Sequence, residues 1–346
     1  MTRRTLALAP LLLTTAKGQP RTPVTGKGEH TYEMLHDFLQ LPDSHKFGNV
    51  HGIVADSQGR IIVCHTVHAS STSADSILIF DPVGRFIKSW GGTDMRGGAH
   101  GLTIRKEGSQ EFLYHCDNVK GYVRKTTLDG ETVWVLHAPA MSGLYANAKE
   151  YKPSNLAIAP NGDIYIADGY GKFYIHQYDA QTRHIRSFGG SREIMKTVET
   201  GPGTTIWPHA IGIDTRGREP LLMVGERGAN SRIQYFTLDA KPLHFVKDGV
   251  RWPSTFDFRN GLMLMPDLKA VVTLFDANNK LITHLGDGMR PDGKTYEGIR
   301  AQPDRGVFTP GKFIAPHGAC FDADGNILVA EWVEIGRVTK LRRVSA

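Results

Sequence analysis

The sequence predicts an all-β fold, a six-bladed β-propeller made of four-stranded antiparallel blades. A short phrase recurs along the chain, and a regular pattern of strands and turns follows each copy. Three copies contain histidine and lie about 109 residues apart: AHGL at 99–102, PHAI at 208–211 and PHGA at 316–319. Near the middle of each interval the phrase returns with serine, as PSNL at 153–156 and PSTF at 253–256. A further copy, VHGI at 50–53, opens the series and gives six units.

The residues after each phrase have the pattern of a four-stranded meander. In the third unit, alternating stretches at 155–159 and 163–167 flank a Pro-Asn-Gly turn, and two further strands are predicted at 173–178 and 183–188. A repeat of roughly 45–60 residues with four strands is typical of propeller blades. The stretch at 31–41 is predicted to supply the strand that closes the last blade, although 32–39 could also form a short helix.

The first 16 residues have the features of an export signal. Arg3 and Arg4 precede the apolar run at 6–13 and a small-residue end, and the phrase at 2–8 also resembles the twin-arginine signal. We therefore predict a signal peptide at 1–16, a polar linker at 17–29 and a single propeller domain at 30–346. The mature protein would be exported, to the periplasm or beyond the cell. The alternative is a frayed terminus with chance arginines.

Composition limits the classes of partner. Charged residues make up 22% of the chain and hydrophobic residues 40%, as in an ordinary soluble protein. No run approaches the ~18 apolar residues of a membrane span. The net charge of +6 is spread along the chain without the dense Lys/Arg windows of a nucleic-acid surface. We expect no nucleic-acid partner, no membrane span and a monomer.

The three cysteines, Cys64, Cys116 and Cys320, are too few for a disulfide framework. One pair could bond in an exported chain and leave the third free. All three lie in apolar strand contexts, which favours buried, inert thiols.

The alternate-blade histidines predict a metal site on the propeller axis. The first strand of every blade lines the central channel, so His100, His209 and His317 should lie about 120° apart around it. Three imidazoles with a fourth position open is the arrangement of catalytic zinc. Zn²⁺ is favoured over Mg²⁺ or Ca²⁺, and Mn, Fe, Ni or Cu remain alternatives. His51 breaks the alternation; it could be a fourth ligand, a group that supports the ligands or a blade-packing residue, and we favour the last two.

The turn after the second strand of each blade should lie at the same end as the histidines. Most of these turns open with an acid, which more often bonds backbone N–H groups. Tyr170 and Arg227 also lie in such turns, and they are candidates for a general base or acid and for a carboxylate-binding group. The alternative for both is packing at the rim of the channel.

These motifs resemble the NHL-repeat propellers and, among them, the lyase domain of peptidyl-α-hydroxyglycine α-amidating enzymes. The similarity covers nearly all of residues 45–343. It implies catalytic zinc bound by His100, His209 and His317, a catalytic tyrosine at Tyr170 in Asp-Gly-Tyr, and an active-site arginine at Arg227.

The chain also departs from the family pattern at three positions. Thr66 stands where the family has a second active-site arginine, and Ala315 stands where methionine is usual. Gly318 replaces an aspartate that binds a structural calcium, which argues against that calcium here. The metal scaffold is thus kept while the substrate contacts differ, and His65 and His68 are candidates to face an altered substrate.

The resemblance implies a zinc-dependent carbon–nitrogen lyase. In the family's chemistry the metal lowers the pKa of a carbinolamide hydroxyl, a tyrosinate takes the proton, and C–N cleavage gives an amide and glyoxylate. Here Tyr170 would be the base, and Arg227 would orient the substrate or stabilise charge. The expected substrate is a small or peptide-like molecule, with a sugar acid or another carbinol as alternatives. The competing interpretation is a non-catalytic NHL propeller that binds protein or glycan.

Overall fold

The computed structural model describes residues 22–190, 201–229 and 231–344. The predicted signal peptide and the first part of the predicted linker lie outside this range. The described chain forms six antiparallel sheets, one for each copy of the repeated phrase. The prediction of a six-bladed propeller is confirmed.

Two strands precede the first blade, β1 (Val24–Lys27) and β2 (His30–His36). The first blade contains β3 (Val50–Ala55), β4 (Ile61–His65), β5 (Ile77–Phe80) and β6 (Phe86–Trp90). The second contains β7 (Ala99–Glu107), β8 (Gln110–Asp117), β9 (Tyr122–Thr127) and β10 (Thr132–Leu136). The third contains β11 (Asn155–Ile158), β12 (Ile164–Ala167), β13 (Tyr174–Tyr178) and β14 (His184–Gly189).

The fourth blade contains β15 (Pro208–Asp214), β16 (Leu221–Glu226), β17 (Arg232–Phe236) and β18 (Pro242–Val246). The fifth contains β19 (Asp257–Arg259), β20 (Leu262–Asp267), β21 (Val271–Phe275) and β22 (Leu281–Leu285). The sixth contains β23 (Pro316–Phe321), β24 (Ile327–Glu331) and β25 (Arg337–Arg343). Helical segments of three or four residues occur at Gly92–Met95, Ala140–Ser142, Ala148–Glu150, Tyr296–Ile299 and Arg305–Val307.

The N-terminal strands complete the sixth blade. β2 pairs antiparallel with β25, so residues 30–36 form the predicted closing strand and not the alternative helix. β1 then pairs with β2 and makes this sheet five-stranded. The prediction that 17–29 is a linker is therefore wrong for residues 24–27. The glycines of this stretch, which favoured a linker, instead permit a hairpin turn at Gly28, whose φ is 54°.

Apolar side chains that alternate along the strands pack between neighbouring sheets. At the ring closure, Tyr32 and Met34 of β2 are each 2% exposed and pack in one cluster with Leu341 of β25 and Phe313. The three cysteines are buried and free, as the sequence predicted. In the part of the chain that the structure describes, no helix has the length and apolarity needed to cross a membrane.

Candidate metal centre at the propeller axis

The structure brings the three predicted metal ligands together at one end of the channel. The ring centroids of His100 and His209 are 5.0 Å apart, those of His209 and His317 are 4.9 Å apart, and those of His100 and His317 are 4.7 Å apart. None of the three side chains is more than 2% exposed. His51 joins them, with its ring 4.6 Å from that of His100 and 4.7 Å from that of His317.

A backbone irregularity in the first strand directs these side chains towards the axis. The pairing of first and second strands shifts register at His51, His100, His209 and His317. A bulge of this kind bends a strand and re-aims a side chain. The alternating pattern of the strand alone would not bring four imidazoles together at one point.

Backbone carbonyls of the neighbouring blades fix the orientation of the rings. Nδ1 of His100 lies 2.6 Å from the carbonyl oxygen of Ser154, and Nδ1 of His209 lies 3.1 Å from that of Ser254. Nδ1 of His317 lies 2.8 Å from the carbonyl oxygen of His51. A carbonyl oxygen only accepts, so each Nδ1 carries the proton and each Nε2 is left as the nitrogen with a lone pair. Metal-binding histidines are oriented in this way.

The electrostatic environment keeps the imidazoles neutral. Burial lowers the pKa of His100 to about 3 and holds the pKa values of His51, His209 and His317 well below the usual range. Ring nitrogens of His51, His100 and His317 all lie within 4.8 Å of one another. A set of neutral nitrogen donors without a carboxylate suits Zn²⁺ and other transition metals and not Mg²⁺ or Ca²⁺. These residues therefore fit a transition-metal ion.

Tyr170 lies directly against this cluster. Its hydroxyl oxygen is 3.2 Å from Nε2 of His100 and 3.0 Å from Nε2 of His209. The turn depends on Gly169, because a Cβ there would approach the carbonyl oxygen of Pro208 to 2.3 Å. The hydroxyl can reach the axis only because this turn packs so closely on the next blade.

Arg227 is buried beside Tyr170 and hydrogen-bonds its hydroxyl. Its Nε donates to the carbonyl oxygen of Pro253 at 2.9 Å, and its Nη2 donates to Oγ of Ser254 at 2.8 Å. Burial raises the pKa of Tyr170, and the positive charge of Arg227 opposes that rise. Burial also lowers the pKa of Arg227 to about 10, against the attraction of Tyr170 and Asp267.

Sequence reasoning missed three groups of this site. Ser154 and Ser254 supply the carbonyls that orient two histidines, and the fully buried carboxylate of Asp267 lies near enough to attract Arg227. Serine at the intervening copies of the phrase was the available signal for the first two. The third ends the second strand of its blade, as the predicted turn acids do.

The turn acids are structural, as the sequence indicated. Asp168, Asp267 and Glu331 each accept a backbone N–H bond from the loop that enters the first strand of the same blade, with distances of 2.7 Å from Lys152, 2.8 Å from Arg251 and 2.7 Å from Ile314. Asp117 accepts from its own turn, at 2.9 Å from Val119 and 2.7 Å from Lys120. The bonds of Asp168, Asp267 and Glu331 tie the turn and the entry loop of a blade together.

His65 takes this structural role in the first blade, and the prediction that it contacts substrate is wrong. It is 1% exposed, and its Nδ1 accepts from the backbone N–H groups of Val67 at 3.1 Å and Gly48 at 3.3 Å. Its Nε2 donates to the carbonyl oxygen of Asp75 at 3.1 Å. With both ring nitrogens bonded to backbone, no polar atom is left for a ligand.

His68 does not join the axial cluster either. It lines a separate surface pocket with Lys46, Phe47 and Arg305, and its Nδ1 contacts Ser70. The sequence suggested that it faces an altered substrate because Thr66 and Ala315 depart from the family pattern, and this pocket is not lined by any of the axial histidines. Gly318 packs against the first blade, where a Cβ would lie 2.8 Å from the carbonyl oxygen of His51, so no side chain could replace it without movement.

Curated relatives match part of this chain. Human NHL repeat-containing protein 3 is 28% identical over 172 residues, which are 47% of this chain and 45% of that protein. Peptidyl-alpha-hydroxyglycine alpha-amidating lyase 2 of Drosophila melanogaster is 25% identical over 167 residues, which are 42% of this chain and 39% of that protein. The resemblance inferred from the motifs is confirmed. The chain spans less than half the length of these relatives, and no protein-family model matches it.

Solved structures share the fold. An X-ray structure provisionally described as a gluconolactonase has a TM-score of 0.54 at 13% identity and covers 90% of this chain and 97% of that one. A structural-genomics protein of unknown function from Bacteroides thetaiotaomicron has a TM-score of 0.57 at 11% identity and covers 89% of this chain and 76% of that one. At such identities the likeness shows the fold alone.

Proposed function

We propose that this protein is a metal-dependent lyase that acts at the axial mouth of the propeller, similar to the peptidyl-α-hydroxyglycine α-amidating lyases. The observation that carries the proposal is the position of the Tyr170 hydroxyl, within 3.2 Å of the Nε2 atoms of His100 and His209 and beside Arg227. A phenol in that position can exchange a proton with a group held at the histidines. The similarity to the Drosophila lyase supports this reading.

The roles of the residues follow from their positions. A metal, most simply zinc, would supply Lewis-acid polarisation of a substrate hydroxyl. Deprotonated Tyr170 takes the hydroxyl proton, the C–O bond becomes a carbonyl as the C–N bond breaks, and Tyr170 returns the proton to the departing nitrogen. Arg227 favours the phenolate because its positive charge opposes the effect of burial on the pKa of Tyr170. The products are an amide and an aldehyde.

The rim of the mouth favours an organic substrate with an apolar portion. Trp207 and Trp252 each precede the proline that opens the phrase of their blade, and their ring centroids are 5.3 Å apart. Both rings are half-buried. We infer a small or peptide-like substrate that lies against these rings. We also propose that the protein is exported and acts as a monomer.

A non-catalytic propeller that binds protein or glycan is the second candidate. It is favoured by the match to human NHL repeat-containing protein 3, which is somewhat more similar than the match to the lyase. In that case the histidines would hold a structural metal or none, and no carbinol would be turned over.

The test is glyoxylate release from peptides and small amides that end in α-hydroxyglycine, by the full-length mature protein after zinc loading. We expect turnover by the wild type and a loss of about 10²–10⁴-fold in kcat for Tyr170→Phe, the range of a general base, at unchanged metal content. Tyr178→Phe is the matched control, since Tyr178 is buried in the same blade and its hydroxyl has no partner among the described residues. Full activity of Tyr170→Phe, or no turnover of any carbinolamide by the loaded wild type, would contradict the proposal.

A further inference from the structure

We propose that His51 is a fourth metal ligand, which makes the centre a site of four imidazoles from His51, His100, His209 and His317. This inference rests on the metal centre of the proposed function and adds a ligand that the resemblance does not imply.

The first argument is the alternation of roles around the axis. Three positions supply the carbonyl oxygen that accepts from Nδ1 of the preceding histidine, namely Ser154, Ser254 and His51. In two of these blades a serine is sufficient for the task. The imidazole of His51 is therefore additional to the supporting role that its backbone already performs.

The second argument is the backbone at this position. The pairing of β3 with β4 shifts register between Val50 and Gly52, as the corresponding pairings do at the other three histidines. Ser154 occupies the same kind of bulge, because its N–H donates to the carbonyl oxygen of Ala167 and Asn155 pairs opposite the same residue. The bulge therefore aims whichever side chain stands at this position towards the axis, and at His51 that side chain is an imidazole, as it is at the three predicted ligands.

The third argument is the ring itself. A ring nitrogen of His51 lies within 4.8 Å of ligand nitrogens of both His100 and His317. The side chain is 7% exposed, and its Nδ1 is buried with no hydrogen-bond partner among the described residues. Leaving a buried polar atom unpaired destabilises the folded protein. Such an atom in a pocket of neutral nitrogen donors is explained when a cation occupies the centre.

A fourth imidazole changes what the centre can hold. Four protein ligands complete the coordination of a structural zinc site, whereas catalytic zinc keeps one position open and sometimes expands to five ligands. A substrate oxygen at this centre would therefore enter as a fifth ligand. The ligand set remains uncharged, so it also suits metals that accept five or six donors.

The experiment counts imidazoles by X-ray absorption on the zinc-loaded wild-type protein and measures the Kd for Zn²⁺ of His51→Leu by chelator competition. We expect four imidazole donors in the wild type and a Kd for His51→Leu raised by more than about 100-fold, beyond the 10–100-fold that is typical of groups that only orient a ligand. The matched control is His115→Leu. His115 is 1% exposed and, among the described residues, neither of its ring nitrogens has a partner.

The outcomes separate this inference from the proposed function. Bound metal with three imidazoles, and an unchanged Kd for His51→Leu, would overturn the fourth ligand and leave the lyase proposal intact. A wild-type protein that binds no metal would overturn both. The X-ray absorption count needs no variant, so it decides the question even if His51→Leu fails to fold.

Discussion

At the scale of single residues, the repeat assigns a role to each position, and the residue type decides how that role is filled. The propeller converts the interval between histidines into an angle around the axis, which is why sequence spacing could predict that His100, His209 and His317 meet. Tyr170 and Arg227 were predictable in position from the same geometry. His65 was misjudged because its own residue type suggested chemistry, while its place at the end of β4 corresponds to that of the acids in other blades.

The equivalence of His65 with the turn acids can be tested by substitution. We expect His65→Asp to keep the bonds from Val67 and Gly48 and to change the free energy of unfolding little. His65→Leu leaves those two buried N–H groups unpaired and should cost about 1–3 kcal/mol for each. Urea unfolding of both variants measures the difference. If the aspartate variant were the less stable of the two, the structural role assigned to His65 would be wrong.

At the scale of elements, the propeller depends on the strand that closes it. The closing strand was predictable because residues 31–41 were left over once six units had been counted. β1 was not, since its glycines and polar residues look like a linker and its partner strand is what makes it a strand. The register shifts at the histidines were also unpredictable, because a bulge leaves the phrase unchanged in sequence.

Removing apolar contacts of the closing strand should destabilise the whole ring. Met34 is 2% exposed in the closure cluster, so Met34→Ala should lower the free energy of unfolding by about 2–5 kcal/mol. Val24 of β1 is 60% exposed, and Val24→Ala is the control, expected within about 0.5 kcal/mol of the wild type. Equal effects of the two substitutions would contradict the closure seen here.

Acid should loosen the same strand through His36. Burial, with Arg337 nearby, lowers the pKa of His36 to about 4, and its Nε2 accepts from the N–H of Gly311 at 3.1 Å. Its contribution to stability is therefore complete above pH 6.5 and is lost as pH falls from 6.5 towards 4, because only the unfolded chain binds the proton readily there. The urea concentration at the unfolding midpoint should fall between pH 7 and pH 5, and it should fall further for the wild type than for His36→Gln. Equal pH dependence in both proteins would show that His36 does not titrate in this way.

At the scale of the whole molecule, the six blades form one frame whose only four axial imidazoles within the described ranges meet at one mouth of the channel. The fold followed from the sequence because each blade repeats the same local signals, so errors in any one unit did not matter. Substrate contacts could not be predicted in this way, because they would depend on loops between blades that have no repeat to compare with. The frame is a candidate enzyme because the axial histidines lie beside the hydroxyl of Tyr170 and the buried guanidinium of Arg227.

The metal content of the purified mature protein, determined by elemental analysis, tests the central claim most directly. We predict about one transition-metal ion per chain in the wild type and none in the double variant His100→Ala/His317→Ala, which leaves two imidazoles of the axial set. The matched control is His68→Ala/His184→Ala, in which two part-exposed histidines away from the axial cluster are removed and the metal is retained. Wild-type protein that holds no metal after zinc is added back, or a double variant that holds as much as the control, would contradict the account.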